Sequence, residues 1–325
     1  MTGYVLGRVA GAVGVLLVVA TVVFGLFELL PGDAAETILA QGGRSGALPP
    51  EQLAVLRADL GLDRSAPERF LGWIGGLLHG DLGTSMLSGR PVAEVLGGRI
   101  GNSLVLGVVT VVLLFPLATV FGVLAGARAG SRTDRGVSTA ALVSEAVPAF
   151  VVGVVLIAVI ALGWRVLPAV SLVPTGTSPL ARPQVLVLPV LTLLAGLAPH
   201  PVRVIRARTA ELVAGEAFRT LTVHGVSRRR LLSRYVAPVA IAAALPPLAG
   251  SVAGLVGGVA VVETVFGYPG LAQELVRAIA LRDFPVVAAA AVLMAVFGVT
   301  VHLLADLGAL AMSPVARRAV LSGRR

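Results

Sequence analysis

The sequence predicts an all-α, polytopic membrane protein with six transmembrane helices and a small helical insert on the outer side between the first two. The 325 residues are 56% hydrophobic and 13% charged, with a mean hydropathy of +0.93, whereas soluble domains carry about 25% charged residues. Long apolar segments recur along the chain, and its arginines cluster in alternate connections between them. Soluble enzymes and nucleic-acid-binding proteins are therefore excluded, despite a pI near 11.4.

Five apolar segments are long enough to cross a bilayer, which takes roughly 20 helical residues. They are Val9 to Leu30, Leu104 to Ala127, Thr139 to Leu162, Val236 to Val262 and Val286 to Met312. A sixth segment, Val185 to Leu197, is short and contains Pro189, so its length leaves it between a span and a re-entrant piece. The apolar stretch of the first span is longer than that of a signal peptide, so we expect it to remain as an uncleaved anchor.

The arginine distribution favours a sixth span, because cytoplasmic loops collect arginine and lysine. If residues 185–197 cross the membrane, the inner side holds 16 arginines and three acids, and the outer side holds 10 arginines and 11 acids. If they do not cross, the most basic loop of the chain moves outside. We therefore predict six spans with both termini in the cytoplasm.

Residues 31–101 form an outer insert that is too polar for the bilayer and carries helix signals. Pro50 opens a helix that Gly61 stops, and Ser65 and Glu68 have the spacing of a capping box ahead of a second helix. A Gly-rich turn separates these from a short helix begun at Pro91. The insert is either a cap on the membrane or a platform for a partner that delivers solute.

Two further outer connections differ in pattern. Residues 163–183 contain four prolines and no periodicity, which predicts a loop. In residues 263–285, Leu271, Leu275 and Ile279 recur at helical spacing, which predicts a short amphipathic helix at the membrane surface. This helix is either inert or a gate over a pathway.

The arginine-rich loop, residues 203–235, is the most informative inner connection. It holds eight arginines, and Gly225 stands two residues before Ser227 and a run of three arginines. Gly225 permits a sharp turn and Ser227 is a suitable N-cap, so we predict a helix-turn-helix. From these residues alone, the loop is better explained as a topology signal, whose arginines hold this end inside and contact anionic lipid.

The chain lacks the residue patterns of a membrane enzyme. It has no cysteine, its four histidines are isolated, and no acidic pair within a span has metal-ligand spacing. A phosphate-binding loop of the Gly-x-x-x-x-Gly-Lys type is impossible without lysine. We expect no metal site, no catalytic residue and no cofactor on this chain, so any energy source lies on a partner.

Small residues four apart predict close helix packing, as at Gly250, Gly254 and Gly258, although this ridge would also suit a pore lining. Three acids, Glu28, Glu145 and Asp306, lie within predicted spans, where a charge must face protein or water. Glu145 is near an inner end, where an interfacial and a functional position are equally plausible, and Asp306 is placed to pair with an arginine.

Several motifs, in order and at characteristic spacing, resemble those of one transporter family. They are Leu29-Leu-Pro-Gly-Asp33, Leu60-Gly-Leu-Asp-Arg64, Gly80-Asp-Leu-Gly-Thr-Ser85, Gly89-Arg-Pro-Val92, Val262 to Leu271, and Arg282-Asp-Phe-Pro-Val-Val287. Together they resemble the inner-membrane permease subunits of ABC importers, in the dipeptide, oligopeptide and nickel branch, which have the type I (MetI-like) permease fold. The resemblance runs nearly end to end.

The resemblance implies a role for the arginine-rich loop, because in this family the corresponding element carries the EAA motif and forms a coupling helix that docks on an ATPase subunit. The implied coupling residues are Glu216, Arg219, Thr220, Leu221, Gly225, Ser227, Arg228 and Pro238. Two positions depart from the family pattern: Leu221 replaces a small residue, and His224 stands where lysine is frequent. The implied outer-gate or translocation residues are Glu263, Phe266, Gly267, Tyr268, Pro269 and Gly270.

The resemblance also implies the surroundings of the chain. We expect a bacterial cytoplasmic membrane, a homologous second permease, one or two ABC ATPases that carry Mg-ATP, an extracytoplasmic solute-binding protein, membrane lipid and no nucleic acid. Di- or oligopeptides are the expected solute, with nickel, metal chelates, opines and some sugars as alternatives. An ATP-independent channel, a membrane scaffold and a membrane enzyme are the alternatives from other classes.

The expected organisation has four parts. A first transmembrane helix occupies residues 1–30 and the outer insert residues 31–101. The permease core occupies residues 102–312, and a basic cytoplasmic tail residues 313–325.

Overall fold

The computed structural model describes residues 2–29, 35, 50–59, 61–174 and 176–312. Within these residues the chain is helical, and its one β-type contact is an isolated bridge between Thr84 and Pro91. Parts of the predicted motifs, among them Pro31 to Asp33, and the basic tail at residues 313–325 lie outside the described residues. The side chain of Asp306 also lies outside them.

Thirteen α-helices make up the described chain. They are α1 (Thr2–Leu29), α2 (Pro50–Asp59), α3 (Ala66–Leu78), α4 (Val92–Gly126), α5 (Arg132–Ala146), α6 (Ala149–Leu156), α7 (Gln184–Leu197), α8 (Pro199–Ala214), α9 (Glu216–Val223), α10 (Arg228–Leu231), α11 (Ala237–Phe266), α12 (Leu271–Ala280) and α13 (Phe284–Met312). Two π-helical stretches, Ile157–Gly163 and Leu232–Val236, and a 3-10 turn at Pro179–Ala181 complete them. The loop predicted over residues 163–183 is otherwise irregular, as expected.

Three of the described helices are long and apolar enough to cross a membrane, and the number rises to five if each of two bent pairs counts as one span. The predicted third span, Thr139 to Leu162, is not a single helix, since α5 and α6 meet at an angle of 107°. The cause is Pro148, which cannot continue the helical hydrogen bonds and leaves Val147 extended at φ −93° and ψ 122°. Six spans therefore remain a prediction.

The short segment 185–197 is helical throughout as α7, and Pro189 lies inside it. After a bend of 52° the chain continues as α8, whose first turn contains Pro199 and Pro201. A proline costs little there, because the first N–H groups of a helix have no intrahelical partner. The arginine-rich loop thus begins on a helix that extends the short segment.

The outer insert contains the two predicted helices, α2 and α3. Gly61 follows α2 with φ +66°, and the Ser65 backbone N–H donates to Glu68 Oε2 at 3.1 Å at the start of α3. Hydrogen bonds with the Ser65 side chain and then with its backbone N–H lower the pKa of Glu68. The prediction of a short separate helix at Pro91 was wrong. Helix α4 begins at Val92 and continues to Gly126, because no proline interrupts it before the span.

The chain divides into two compact units. The first consists of Met1–Tyr4, Leu104–Tyr268 and Gly298–Arg325, and the second of Val5–Ser103 and Pro269–Phe297. The first unit has a core that includes Leu106, Leu188 and Leu248. The second is built around a cluster that includes Leu96 and Val286.

Within the first unit, α4 and α8 approach closely at two glycines. A Cβ atom at Gly122 would lie 2.6 Å from Cβ of Ile205, and one at Gly126 would lie 2.4 Å from the Arg206 carbonyl oxygen. Such distances are below any van der Waals contact, so only glycine lets these helices touch. The Gly-x-x-x-Gly spacing in the sequence indicates this packing.

We predict that Gly126→Ala lowers the stability of the purified protein by about 1–3 kcal/mol, because the new methyl group overpacks against a backbone oxygen that cannot rotate away. The control is Gly136→Ala in α5, where a Cβ would meet nothing within 4 Å. Thermal unfolding in detergent compares the two. Equal melting temperatures for both variants would contradict the packing described here.

Candidate functional site

The turn between α9 and α10 is a complete helix-terminating motif centred on Gly225. Gly225 has φ +81°, a conformation that favours glycine. The Val226 N–H donates to the Leu221 carbonyl at 3.1 Å, and the Gly225 N–H donates to the Thr222 carbonyl at 3.0 Å. These are the two hydrogen bonds of the Schellman motif. The predicted helix-turn-helix is confirmed, and Gly225 is its turn.

The contacts of Leu221 explain why a leucine is accommodated where the family usually has a small residue. The Schellman motif usually includes an apolar contact between the residue before the turn and the residue after it, here Leu221 and Val226. Both are partly buried against a small core formed by Phe218, Leu231 and Val236. A leucine at this position therefore contributes apolar contact to the core that holds α9 against α10.

The outward face of this helix-turn-helix has an apolar tip with polar surroundings. Val223 at the end of α9 is 85% exposed. Arg219, Thr220 and His224 beside it are exposed as well. The end of α9 therefore presents one exposed valine among exposed polar side chains.

Three other predicted coupling residues occupy helix starts. Glu216 begins α9, where a negative charge interacts favourably with the helix dipole. Ser227 is the N-cap residue of α10, as predicted, with an extended backbone, and its side chain makes no capping hydrogen bond. Pro238 lies in the first turn of α11.

Arg228 and Arg206 attach this segment to the C-terminal end of α4 and the N-terminal end of α5. Arg228 Nη2 donates to the Ala127 carbonyl at 2.5 Å. Arg206 on α8 forms a two-pronged pair with Asp134, from Nε to Oδ1 at 2.8 Å and from Nη2 to Oδ2 at 2.7 Å. The Gly130 N–H donates to the same carboxylate at 2.8 Å. Asp134 is buried at 3% exposure.

These donors stabilise the charged form of Asp134 and so lower its pKa. The hydrogen bonds from Arg206, followed by that from the Gly130 N–H, lower the pKa of Asp134 to about 2. Sequence reasoning missed this residue. The available signal was the spacing Ser131-x-x-Asp134 directly after Gly130, which places an acid in the first turn of a helix. Ser131 accepts from the Asp134 N–H at 3.2 Å.

Glu145 has a partner on the same helix as Arg206. Arg203 Nη2 lies 2.9 Å from Glu145 Oε2, and both side chains are partly open to solvent. The pair supports the interfacial alternative for Glu145 over a buried functional position. With the Asp134 pair, it gives α8 two ionic contacts to α5.

The predicted gate residues of the first unit are deeply buried. Glu263, Phe266 and Tyr268 each have 0% exposure, and Gly267 ends α11 in the left-handed conformation at φ +58°. The Ser171 N–H donates to the Phe266 carbonyl at 2.8 Å. Burial, followed by the nearby Glu263 charge, raises the pKa of Tyr268. These side chains form part of the unit's core.

The remaining gate residues, Pro269 and Gly270, belong to the second unit. Asn102 Nδ2 donates to the Pro269 carbonyl at 2.9 Å, and the Leu271 N–H donates to Ser103 Oγ at 2.7 Å. Arg99 Nη2 lies 2.8 Å from Glu274 Oε2. These contacts hold the predicted amphipathic helix, α12, against the start of α4. The unit boundary falls between Tyr268 and Pro269.

Asp283 fixes the far end of α12 within the second unit. It accepts from Ser85 Oγ at 2.5 Å and from the Met86 N–H at 3.1 Å. Asp283 and Ser85 belong to two motifs that are far apart in the sequence. The structure brings these motifs together.

The small-residue ridge of α11 makes one close contact within the chain. A Cβ at Gly258 would lie 3.2 Å from Leu193 Cδ2, and one at Gly254 would lie 4.0 Å from Leu197 Cδ2. Gly250 has nothing within 4 Å. The ridge is therefore packed at one end and open at the other.

The described helices that are long and apolar enough to cross a membrane, with the exposed turn at Gly225 between two of the shorter ones, define a helical membrane protein. The model of the binding-protein-dependent transport system inner membrane component matches residues 118–313, and the model of that family's N-terminal part matches residues 1–103. The chain belongs to this family and is a permease subunit of an ABC importer in the bacterial inner membrane.

Curated relatives match almost the whole chain. A protein of Sinorhizobium fredii, named as a probable peptide ABC transporter permease, is 32% identical over 96% of this chain and 98% of its own length. The glutathione transport system permease of Salmonella choleraesuis is 32% identical over 98% of this chain and 99% of its own length.

We predict that Asp134→Asn destabilises the protein by about 2 kcal/mol at pH 7, because it weakens two charge-assisted hydrogen bonds. The control is Glu211→Gln, which breaks the exposed Arg208–Glu211 pair on α8, the helix that carries Arg206, and costs under about 1 kcal/mol. Thermal unfolding in detergent measures both.

The pH dependence of the same experiment is set by the lowered pKa of Asp134. The stability that its charge contributes is fully present above the ordinary value of 3.8 and is lost as the pH falls toward about 2. The difference between the parent protein and Asp134→Asn should stay constant from about pH 7 to pH 5. A difference that shrinks across that range would show that another group is responsible.

Proposed function

We propose that this chain is the translocating half of an ATP-driven importer, in which ATPase subunits push and pull on the turn at Gly225. The single observation that carries the proposal is this turn: a closed Schellman motif that presents Val223 at 85% exposure on a rigid base. In this proposal Val223 and its exposed neighbours fill a groove on an ATPase that binds Mg-ATP. The chain itself hydrolyses nothing.

The contacts of the first unit supply a route from the turn to the membrane helices. Arg228 and Arg206 join the turn and α8 to the inner ends of α4 and α5. A π-helical stretch, Leu232–Val236, links α10 directly to α11. Movement of the turn is therefore passed to α4, α5 and α11 without an intervening flexible loop. Binding of ATP by the partner would select one of two arrangements of these helices, as alternating access requires.

The outer gate is assigned to residues 263–270, as the family resemblance implies. Phe266 and Tyr268 are buried in the first unit. The Pro269 carbonyl accepts a hydrogen bond from Asn102 in the second unit.

The proposed complex contains a homologous second permease, one or two ABC ATPases and an extracytoplasmic solute-binding protein that docks on the outer insert. The proposed solutes are di- or oligopeptides. This choice is supported by the two relatives described above, which are named for peptides and for glutathione. Both termini and the arginine-rich loop lie in the cytoplasm in this arrangement, as the arginine distribution requires.

The orientation is tested by single cysteines, for which the chain provides a clean background because it has none. Ser178→Cys lies in the loop before α7 and Ser227→Cys beside the turn, and both positions are exposed. We predict that a membrane-impermeant maleimide labels Ser178→Cys in intact spheroplasts and labels Ser227→Cys only after the membrane is opened. Labelling of Ser227→Cys in sealed spheroplasts would overturn the proposed function.

The coupling role is tested by Gly225→Asp in the complete transporter. We predict normal insertion but peptide uptake reduced by about tenfold or more, because aspartate strains the turn and places a charge at the docking surface. ATP hydrolysis should also lose its stimulation by the binding protein. Uptake and ATPase activity are measured in proteoliposomes.

The matched control for this substitution is Gly176→Asp. Gly176 has φ +79° and, like Gly225, nothing within 4 Å of a new Cβ, but it lies in the loop between α6 and α7. The same backbone strain is thus introduced away from the turn. If both variants transport equally well, the assignment of residues 203–235 to coupling fails.

A further inference from the structure

A cavity of about 500 Å³ lies within the second unit, among the last turns of α1, the insert helices and the start of α13. No coupling or gate residue lines it. The charged side chains in its wall are Glu28, Arg57, Arg64, Glu68, Arg69 and Arg282. Four arginines against two glutamates give the wall a net charge of +2.

Both glutamates are already engaged by the protein. Arg69 Nη2 donates to the two carboxylate oxygens of Glu28, each at 2.6 Å. Glu68 accepts hydrogen bonds from the Ser65 side chain and its backbone N–H, which lower its pKa and keep it charged at neutral pH. Glu28 and Glu68 therefore could bind a cationic ligand only by losing these hydrogen bonds. The cavity is suited to an anion.

Part of the wall is aromatic. The rings of Phe24 and Phe284 have centroids 5.4 Å apart in an edge-to-face arrangement, and Trp73 lies 5.7 Å from Phe284. Phe27 lines the same cavity and lies 5.2 Å from Phe284. The cavity thus joins a basic patch to an apolar one, which matches a ligand with an anionic head and an apolar body.

Two lining residues, Arg69 and Trp73, each carry a buried donor. Arg69 Nε and Trp73 Nε1 have no hydrogen-bond acceptor among the described residues. A buried donor without a partner is costly, so a ligand oxygen that reached either group would be favoured. Arg282, in the same wall, has φ +58°, and strain at a residue other than glycine is concentrated at ligand sites.

The position of the cavity selects among anionic amphiphiles. Phe24, Phe27 and Glu28 are at the outer end of α1, where the chain leaves the hydrocarbon. Tryptophan and arginine at this depth are typical of the headgroup region of a bilayer. We propose that the cavity binds the phosphate headgroup of an anionic phospholipid, with the acyl chains beside the aromatic rings. This inference rests on the proposed topology but not on transport.

Trp73 provides a direct reporter, since the chain has two tryptophans and Trp164→Phe removes the other. The full chain with this substitution is placed in nanodiscs of phosphatidylcholine and titrated with phosphatidylglycerol carrying brominated acyl chains. We expect saturable quenching of Trp73 that phosphatidylcholine with the same brominated chains does not reproduce. Equal quenching by the two lipids would overturn the proposal.

Arg64→Gln tests the basic patch, because Arg64 is exposed and its loss should leave the fold intact. We expect about a fivefold weaker apparent affinity for phosphatidylglycerol, the effect of one arginine near an anionic surface. Arg90→Gln is the matched control: Arg90 belongs to the same unit, pairs with Glu94 at 3.2 Å and does not line the cavity. It should bind like the parent. Equal affinities for all three proteins would refute the site.

Competition identifies the source of the anion. Inorganic phosphate and a tripeptide are added separately to the nanodiscs at saturating phosphatidylglycerol. We expect neither to reverse the quenching. Reversal by the tripeptide would make the cavity a solute site, and reversal by phosphate would make it a site for free anions. Either result would replace the phospholipid.

Discussion

The first unit depends on the contact between the backbones of α4 and α8 at Gly122 and Gly126. Because neither position has a side chain, the Arg206 carbonyl can lie where a methyl group would otherwise stand. The approach also brings the Arg206 guanidinium within reach of Asp134 on the following helix, and the pair is then sealed from water on the acidic side. Close packing and a buried ion pair at one point fix the base from which α9 and α10 project.

The second unit is held by a different kind of contact. Its outer helix, α12, is attached at its start through Asn102 and Ser103 and at its end through Asp283. Most of these are side chains that bond backbone groups at helix ends or turns, where helices leave N–H and C=O groups unpaired. The family motifs of the outer insert thus stabilise the second unit by holding α12 in place. This explains why motifs almost 200 residues apart belong to one pattern.

The sequence predicted the parts of this structure that local chemistry controls. The boundaries of α2 and α3, the turn at Gly225 and the amphipathic α12 follow from glycine, proline and helix periodicity, and the structure confirms each. The bend at Pro148 was missed because a proline inside an apolar stretch can either kink a helix or, like Pro189, leave it intact. Which occurs depends on neighbouring helices. Asp134 was missed for a similar reason, since its partner is 72 residues away and nothing local distinguishes it from a surface acid.

Leu221 shows how a departure from a family pattern can be compatible with its role. A small residue is usual at that position, but leucine here strengthens the apolar contact that closes the turn. Because the turn is closed in this way, the Val223 side chain stays exposed to solvent. In the proposed complex an ATPase subunit covers Val223, so a copy made in excess of its partners would leave this apolar side chain in water. Balanced synthesis of the subunits would then limit the amount of unassembled protein.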